Sequence, residues 1–436
     1  KKADGTLWGC GFNNTWGNLC STVSNSPNPV QLCTANDWNS VTAGRFNTFG
    51  IKTNGTLWGT GENSYGSLGI NSTAASVYTF TQVGMDSDWV KISGCVEFTL
   101  GLKSNGTLWG WGRNDAAQLG NGTGLNVLAP QQIGTATDWA DIEACDVGTA
   151  LAIKTNGTLW SWGYNGTGVT GAPSNVQPVT SPIQVGTATD WAKLDAGAGH
   201  VLALKTDNTL WAWGNGGYGE TADGLPAASF RNTPLQIGTA TWKAISAGFN
   251  SSFAIKSDGT LWGWGRNNNG QLGLGNTTNQ LTIIQIGTDS DWASVHTTSL
   301  GGNQTTIAIK NNGAVWGWGD NAAGQLGNGT YVSQPTPVLI STVCVTPLAN
   351  TTFEKKNAFT LYPNPAKDNF TLQYDVTQEN ASVAVYDISG RIMYQNTLSS
   401  TAGALQVNTS NYQAGIYIVV VKQNNKVIQQ EKLIIE

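Results

Sequence analysis

The chain contains two histidines, His200 and His296, and this number limits the catalytic sites that it can hold. A Ser/His/Asp or Cys/His site needs a histidine between a nucleophile and an orienting group, and neither histidine belongs to a motif that specifies such a set. A metal site using both histidines would also need a carboxylate from another segment. The sequence therefore predicts no catalytic residues, no metal site and no cofactor.

Carboxylates and glycines recur at regular spacing, which favours a structural role for them. Five copies of an Asp-Trp pair are typical of turns rather than of a catalytic pair. The Gly263-Trp264-Gly265 sequence and its copies resemble phosphate-binding loops only in composition, because no helix follows that could hold a phosphate at its N-terminus. The five aspartates are Asp37, Asp88, Asp138, Asp190 and Asp291.

The six cysteines contain no Cys-x-x-Cys pair, so a zinc or redox motif is not indicated. Cys95 and Cys145 take equivalent places in successive repeats, where other copies carry glycine. A disulfide between them is one alternative, and it requires their Cα atoms to come within about 7 Å of each other. Free, buried thiols are the favoured alternative.

Composition and charge exclude two classes of partner. Charged residues make up 11% of the chain and its net charge is −5, which does not suit a nucleic-acid-binding face. The longest apolar run, 416–421, is far too short to span a membrane. The chain begins at Lys1 in the middle of a repeat, so we expect further residues upstream.

A unit of about fifty residues recurs seven times and organises the chain. Each copy contains a Leu-Trp or Val-Trp pair, and the clearest copy runs from Trp242 to Gly287. That copy predicts four short strands joined by a Ser257-Asp258-Gly259 turn and an Asn-rich loop. Four antiparallel strands per unit predict a propeller blade, whose faces are buried only against neighbouring blades. The pairs are centred on Trp8, Trp58, Trp109, Trp160, Trp211, Trp262 and Trp316.

Eleven further tryptophans also recur in register, either before the first strand or as the second tryptophan of a Trp-x-Trp sequence, where x is Gly, Ser or Ala. A ligand platform does not need the same residue in every blade, whereas a blade interface does. We therefore predict that the repeated tryptophans pack the fold. They are Trp38, Trp89, Trp139, Trp191, Trp242 and Trp292, and Trp111, Trp162, Trp213, Trp264 and Trp318.

Together these motifs resemble the bacterial form of the regulator-of-chromosome-condensation (RCC) repeat over residues 1–343. The resemblance implies an all-β fold, a seven-bladed propeller. The histidine often found three residues after the first-strand glycine is kept only at His200. The copy at Trp8 lacks its first two strands. We expect that blade to have two strands and an open side facing the last blade.

Composition changes after the repeats. Residues 344–358 are predicted to be a linker, and 359–436 contain six or seven short strands that suggest a small Ig-like β-sandwich. This segment resembles the type A C-terminal sorting domain of type IX secretion substrates. The matching blocks are Tyr362-Pro363-Asn364-Pro365-Ala366, Val385 to Arg391 with Gly390, Gly415-Ile416-Tyr417, and Lys432-Leu433-Ile434-Ile435. The resemblance implies a Bacteroidota-type protein exported to the cell surface by the type IX machinery.

Two rings of variable positions interrupt the regular repeat, one after the first strand and one after the Trp-Gly pair. Aromatic and charged residues on a regular scaffold suit a protein-binding face, although ordinary loop variation is the alternative for each residue. The candidate binding residues are Arg45, Phe46, Glu97, Phe98 and Phe249 in the first ring, and Phe12, Glu62, Arg113, Tyr164, Arg266 and Asp320 in the second.

Three functions remain open at this point. The first is a secreted or surface-attached binding protein, without catalysis, whose partner is a protein or a surface glycan. The second is a surface-acting hydrolase or lyase with its site in the propeller channel, which requires two convergent ionisable side chains in a concave site. The third is a passive adhesive or structural surface protein. Family members that inhibit β-lactamases show what the scaffold can bind, whereas GTPase nucleotide exchange does not suit an exported protein.

Overall fold

The computed structural model is built of β-strands, with one short 3-10 helix, Ser64–Gly66, among the described residues. This confirms the predicted all-β fold class. The chain divides into two compact parts, Lys1–Asn350 and Thr351–Glu436. No helix in the described part of the chain is long and apolar enough to cross a membrane. The structure describes residues 1–2, 4–13, 17–20, 25–95, 97–172, 176–225, 230–298, 304–341, 359–375, 381–387, 391–398, 402–423 and 426–435.

The first part contains the seven repeats, numbered here in chain order. Repeat 1 has two described strands, and repeats 2 to 7 each have four in antiparallel order. The strands of repeats 1 to 4 are β1 Trp8–Gly11 and β2 Ser26–Gln31; β3 Trp38–Ala43, β4 Asn47–Lys52, β5 Leu57–Glu62 and β6 Ser76–Gln82; β7 Trp89–Gly94, β8 Phe98–Lys103, β9 Leu108–Gly112 and β10 Val127–Gln132; β11 Trp139–Cys145, β12 Thr149–Lys154, β13 Leu159–Gly163 and β14 Val179–Gln184.

In repeats 5 and 6 one long strand, β18 Phe230–Ala247, ends one sheet and begins the next. First strands of successive repeats contact each other, which places them innermost around a central channel. The remaining strands are β15 Trp191–Ala196, β16 His200–Lys205 and β17 Thr209–Asn215; β19 Ser251–Lys256, β20 Leu261–Gly265 and β21 Gln280–Gln285; β22 Trp292–Thr297, β23 Thr305–Lys310, β24 Val315–Gly319 and β25 Gln334–Ser341.

The repeated tryptophans pack the repeats together, as predicted. The six at the first strands are at most 5% exposed, and the five second tryptophans of the Trp-x-Trp sequences are fully buried. Each of these five donates its indole N–H to a backbone carbonyl of the preceding repeat; Trp213 Nε1, for example, lies 2.8 Å from Val169 O. One side chain thus fills the interface and satisfies a buried acceptor of the preceding repeat.

The tryptophan of each Leu-Trp pair lies closer to solvent and is fixed within its own repeat. Trp211 Nε1 donates to Thr209 Oγ1 at 2.9 Å. The Lys205 ammonium lies 4.5 Å from the centre of the Trp211 ring and 3.0 Å from an Asp190 carboxylate oxygen. Asp37, Asp88, Asp138 and Asp291 make the same ion pair with the lysine of their own second strand. The Asp-Trp carboxylates therefore serve the fold, consistent with the turn role predicted for them.

Repeat 1 has the two strands predicted for it, β1 paired with β2, among the described residues. These two strands contact repeat 7. Cys10 occupies the place of the second tryptophan, and its thiol donates to Gln325 O at 3.4 Å. Gly329 N donates to Pro27 O at 2.8 Å. These contacts join the last repeat to the first, and burial raises the pKa of Cys10 to about 11.

The second part forms two sheets around one core. One sheet has the order β26-β27-β30 and the other β29-β28-β31-β32. Phe370, Leu372, Val385, Val419 and Leu433 fill the space between them and are fully buried. The strands are β26 Phe359–Tyr362, β27 Asn369–Asp375, β28 Ser382–Asp387, β29 Ile392–Thr397, β30 Ala402–Asn408, β31 Gly415–Gln423 and β32 Lys426–Ile435.

Five cysteines are described, and none of them is bridged. Cys95 and Cys145 are buried, and each thiol donates to a backbone carbonyl of the next repeat: Cys95 to Cys145 O at 3.1 Å and Cys145 to Gly197 O at 2.9 Å. The alternative of free, buried thiols is therefore the one that the structure shows. Cys344 lies outside the described residues.

Candidate binding surface and channel

Aromatic and charged residues predicted from the two rings meet at one end of repeats 1 and 2. The rings of Phe12 and Phe46 are 6.3 Å apart. The Arg45 guanidinium lies 4.9 Å from the centre of the Phe46 ring. Glu62 lies at the end of β5. Burial raises the pKa of its carboxyl, the charge of Glu97 raises that pKa further, and the charge of Arg45 lowers it. Four predicted residues from two repeats thus lie together.

The same series continues into repeat 3 through Arg113. Its guanidinium pairs with Glu97 and, at 2.6 Å, with Asp115. It also lies 5.3 Å from the centre of the Tyr65 ring in repeat 2. The hydrogen bond from Arg113 holds the pKa of Asp115 below its usual range. Tyr65 and Asp115 were not predicted, although Asp115 stands two residues from a predicted arginine.

A pocket of about 270 Å³ lies where repeats 3 and 4 meet. Its wall includes Glu97 and Arg113 from repeat 3 and Tyr164 from repeat 4, so loops from both predicted rings form it. Tyr164 is 39% exposed. Phe98 also lines the pocket but is 2% exposed and packs in the core, which limits it to a supporting role.

We call this continuous series the belt. It covers repeats 1 to 4 and joins the predicted residues to four neighbouring residues. Its charges include both signs, and its aromatic rings other than that of Phe98 are partly or largely exposed, as in protein-binding surfaces. The belt comprises the predicted residues Phe12, Arg45, Phe46, Glu62, Glu97, Phe98, Arg113 and Tyr164, together with Tyr65, Asp115, Gln118 and Asp146.

Three predicted residues lie outside the belt. Phe249 and Arg266 belong to repeat 6, where the Arg266 guanidinium lies 5.4 Å from the centre of the Tyr218 ring. Asp320, in repeat 7, is 8% exposed and accepts a hydrogen bond from Gln325 Nε2 at 2.7 Å. We therefore interpret Asp320 as a loop-forming residue.

His200 is a packing residue. It is 1% exposed, and its Nε2 lies 2.9 Å from Ser252 Oγ in the next repeat. Burial lowers the pKa of His200 to about 3, so the ring is neutral near pH 7. A neutral, buried imidazole bridges two repeats here.

The channel contains a cluster of ionisable side chains that the sequence reasoning missed. Lys91 Nζ lies 2.5 Å from an Asp141 carboxylate oxygen and 3.4 Å from one of Glu143. Ser93 Oγ donates to the other Glu143 oxygen at 2.5 Å. Burial raises the pKa of both Glu143 and Asp195, and the proximity of the two carboxyls raises it further for Asp195. The sequence signal that could have shown this cluster is a polar or charged residue at alternate positions of three successive first strands.

The matched blocks of the second part come together in space. The Asn364 side chain donates to Lys432 O at 2.7 Å and accepts from Ile434 N at 2.9 Å. Tyr417 pairs with Asp387 on one side and with Leu433 on the other. The Asn364 block, with Pro363 and Pro365 beside it, therefore fastens the terminal strand, and Gly415 pairs with Ile435 near its end. Gly390 lies outside the described residues.

Family models match both parts of the chain. The model described as "Secretion system C-terminal sorting domain" matches residues 360–436. Two models described as "Regulator of chromosome condensation (RCC1) repeat" match residues 38–67, 191–220 and 242–271, and residues 105–150, 258–297 and 312–347. The chain carries RCC1 repeats and a type IX secretion sorting domain. The sorting domain indicates secretion and attachment to the cell surface.

Similar proteins support the repeat assignment. The chain is 27% identical to the ultraviolet-B receptor UVR8 of Arabidopsis thaliana, over 80% of each chain. It is 24% identical to the human E3 ubiquitin-protein ligase HERC2 over 77% of this chain but spans 7% of that protein. Human WBSCR16 has a similar fold, with a TM-score of 0.67 and 18% identity over 77% of this chain and 93% of that one. Prp20p of Saccharomyces cerevisiae also has a similar fold, with a TM-score of 0.67 and 17% identity over 82% of this chain and 89% of that one.

Proposed function

We propose that this RCC1-repeat propeller is a surface-attached binding protein that recognises a protein or a glycan through the belt, without catalysis. The observation that supports the proposal is the convergence of eight predicted variable residues on repeats 1 to 4, with a pocket at the junction of repeats 3 and 4. The solved structure of Prp20p is described together with its binding to Gsp1p and histones, so a propeller of this fold can recognise proteins.

The chemistry of the belt favours recognition over turnover. Arg113 is already paired with two carboxylates, and Glu62 is nearly buried. The exposed groups are aromatic rings and hydrogen-bonding side chains, which give contact area and orientation. We expect the partner to insert a side chain or a sugar into the pocket beside Tyr164 while the rim contacts Tyr65.

The experiment compares two exposed belt tyrosines with two exposed tyrosines elsewhere on the propeller. The purified chain is used to retain partners from extracellular and surface fractions. The double variant Tyr65→Ala, Tyr164→Ala should lose retention by about tenfold, the effect of about 1.4 kcal/mol of binding free energy. The matched control is Tyr218→Ala, Tyr331→Ala, whose rings are 37% and 53% exposed.

Retention of the same partner by the control and not by the belt variant supports the belt as the binding surface. Equal losses in both variants would place binding elsewhere on the propeller. Absence of any partner that the wild-type chain retains would favour the passive surface protein.

A second candidate is a surface-acting hydrolase or lyase with its site in the channel, and the partly buried pair Glu143 and Asp195 favours it. Two carboxyls with raised pKa values can act as acid and base. Against this, Lys91 and Ser93 already hold Glu143. Turnover of a surface polysaccharide or peptide that Asp195→Asn abolishes would establish this candidate over the binding protein.

A further inference from the structure

The outer face of the sheet β29-β28-β31-β32 in the sorting domain is unusually apolar. Tyr386 on β28 is paired with Ile392 on β29 and with Ile418 on β31. Ile416, two residues before Ile418 on the same strand, is paired with Ile434 on β32. Directly paired residues share one face of a sheet, so these five side chains form one continuous patch.

This patch points away from the core. Residues one position along each strand lie on the opposite face, and Val385, Val419 and Leu433 there are fully buried. Ile392 and Ile416 are 51% and 49% exposed. Large apolar side chains therefore face outward on a sheet whose inner face already fills the core.

The other sheet of the domain shows what an ordinary outer face looks like here. Thr360 is paired with Gln373, and Thr371 with Gln406. Hydrophobic inner and polar outer faces are the usual pattern for a sheet packed on one side. The outer face of the three-stranded sheet has one large exposed side chain with an apolar body, Tyr362 beside Thr371, whereas five large side chains with apolar bodies form the patch on the four-stranded sheet.

The patch is built from the blocks that define the sorting domain. Tyr386 belongs to the block Val385 to Arg391, Ile416 to the block Gly415 to Tyr417, and Ile434 to the terminal block. The remaining block fastens the terminal strand through Asn364. Three of the five patch residues thus come from these blocks, and Ile392 and Ile418 lie directly beside them in the sequence.

The charged side chains described on the outward face of this sheet have one sign. Lys432 is paired with Ile418, and Lys422 is paired with Ser382. Both lysines therefore lie on the outward face, and none of the outward-facing side chains described on this sheet is a carboxylate. A partner that covers this face must be apolar at its centre and is favoured by acidic groups at its rim.

We infer that this face is the docking surface through which a protein of the secretion apparatus recognises the domain, by an apolar surface with an acidic rim. The family match makes a component of that apparatus the partner. The one-signed charge and the contribution of three matched blocks place its contact on this face rather than on the polar sheet. Recognition of the folded sheet, rather than of a linear peptide, follows because the patch draws on four strands.

The test measures secretion of the full chain from a bacterium with a type IX system. The variant Ile392→Thr, Ile416→Thr, Ile418→Thr keeps β-branched residues and removes the apolar surface. We expect secreted protein to fall about tenfold or more relative to cell-retained protein, as for loss of an interface centre. The matched control, Gln373→Thr, Gln406→Thr on the polar sheet, should be secreted like wild type.

A second variant, Lys422→Glu, Lys432→Glu, leaves the apolar residues in place. It replaces the threonine variant in the secretion experiment if the threonine variant does not unfold cooperatively. Its secretion should fall several-fold because like charges would then face each other. Wild-type secretion of both variants would overturn the inference. So would binding of the wild-type chain to anionic phosphatidylglycerol vesicles that the threonine variant loses, which assigns the face to a membrane. A wild-type dimer that the threonine variant converts to monomer would assign it to a second copy.

Discussion

Replacing Trp213 with alanine is expected to lower the free energy of unfolding of the propeller part by about 3–5 kcal/mol. The side chain is fully buried between repeats 4 and 5. Its indole N–H satisfies Val169 O, and its ring lies 6.1 Å from that of Trp191. Alanine would leave both a cavity and an unpaired buried carbonyl. Denaturant unfolding followed by circular dichroism measures the loss.

The matched control is Trp211→Ala, two residues earlier on the same strand. Trp211 is half-buried and donates to Thr209 of its own turn, so its loss should cost about 1 kcal/mol, near the average for a substitution. Equal losses for the two variants would contradict the assignment of the second tryptophans to the interface between repeats.

Replacing Lys91 with methionine is expected to cost about 3 kcal/mol near pH 7, because it leaves two neighbouring carboxylates without their cation. The Lys91 side chain is 20% exposed, and those of Asp141 and Glu143 are 12% exposed. Water can therefore compensate only in part. The control is Lys193→Met, whose ammonium donates to Lys243 O at 3.2 Å, and we expect a loss of about 1 kcal/mol or less.

The loss should depend on pH in a defined direction. The pKa values of Glu143 and Asp195 are higher in the folded protein than in the unfolded chain, so the protonated carboxyls stabilise the fold. This stabilisation is present below about pH 4 and is lost as the pH rises through the raised pKa values. Removing Lys91 takes away a charge that lowers both pKa values, so the defect should be small near pH 4 and grow toward neutrality. Thermal unfolding across this window measures it, and a defect that does not change with pH would contradict the described contacts.

Much of the fold followed from the period of the sequence. Tryptophans in register predicted the packing of the repeats because each four-stranded sheet must bury both faces. The two strands of repeat 1 were predicted because the copy at Trp8 lacks the sequence of the first two strands. Contact between Cys10 and Gln325 did not, because it joins residues at opposite ends of the repeat array and depends on how the ring closes.

The candidate site was predictable only in part. The period placed the variable residues at one end of each repeat, but it could not show which of them meet. Arg113 reaches Tyr65 in one neighbouring repeat, whereas Asp320 turns into its own loop. Such choices depend on side-chain direction within loops. The apolar outer face of the sorting domain had a visible signal, since residues 416–421 are apolar at every position and a strand buried on one side should alternate.

Site-specific photocrosslinking on the living cell surface shows whether a partner binds at the belt. A photoreactive residue is placed at Tyr65 or Tyr164 in the belt, and at Tyr218 or Tyr331 outside it. We predict a crosslinked partner of one size from both belt positions and none from the two outside positions. Crosslinks from Tyr218 or Tyr331, with none from the belt, would place the binding surface elsewhere on the propeller.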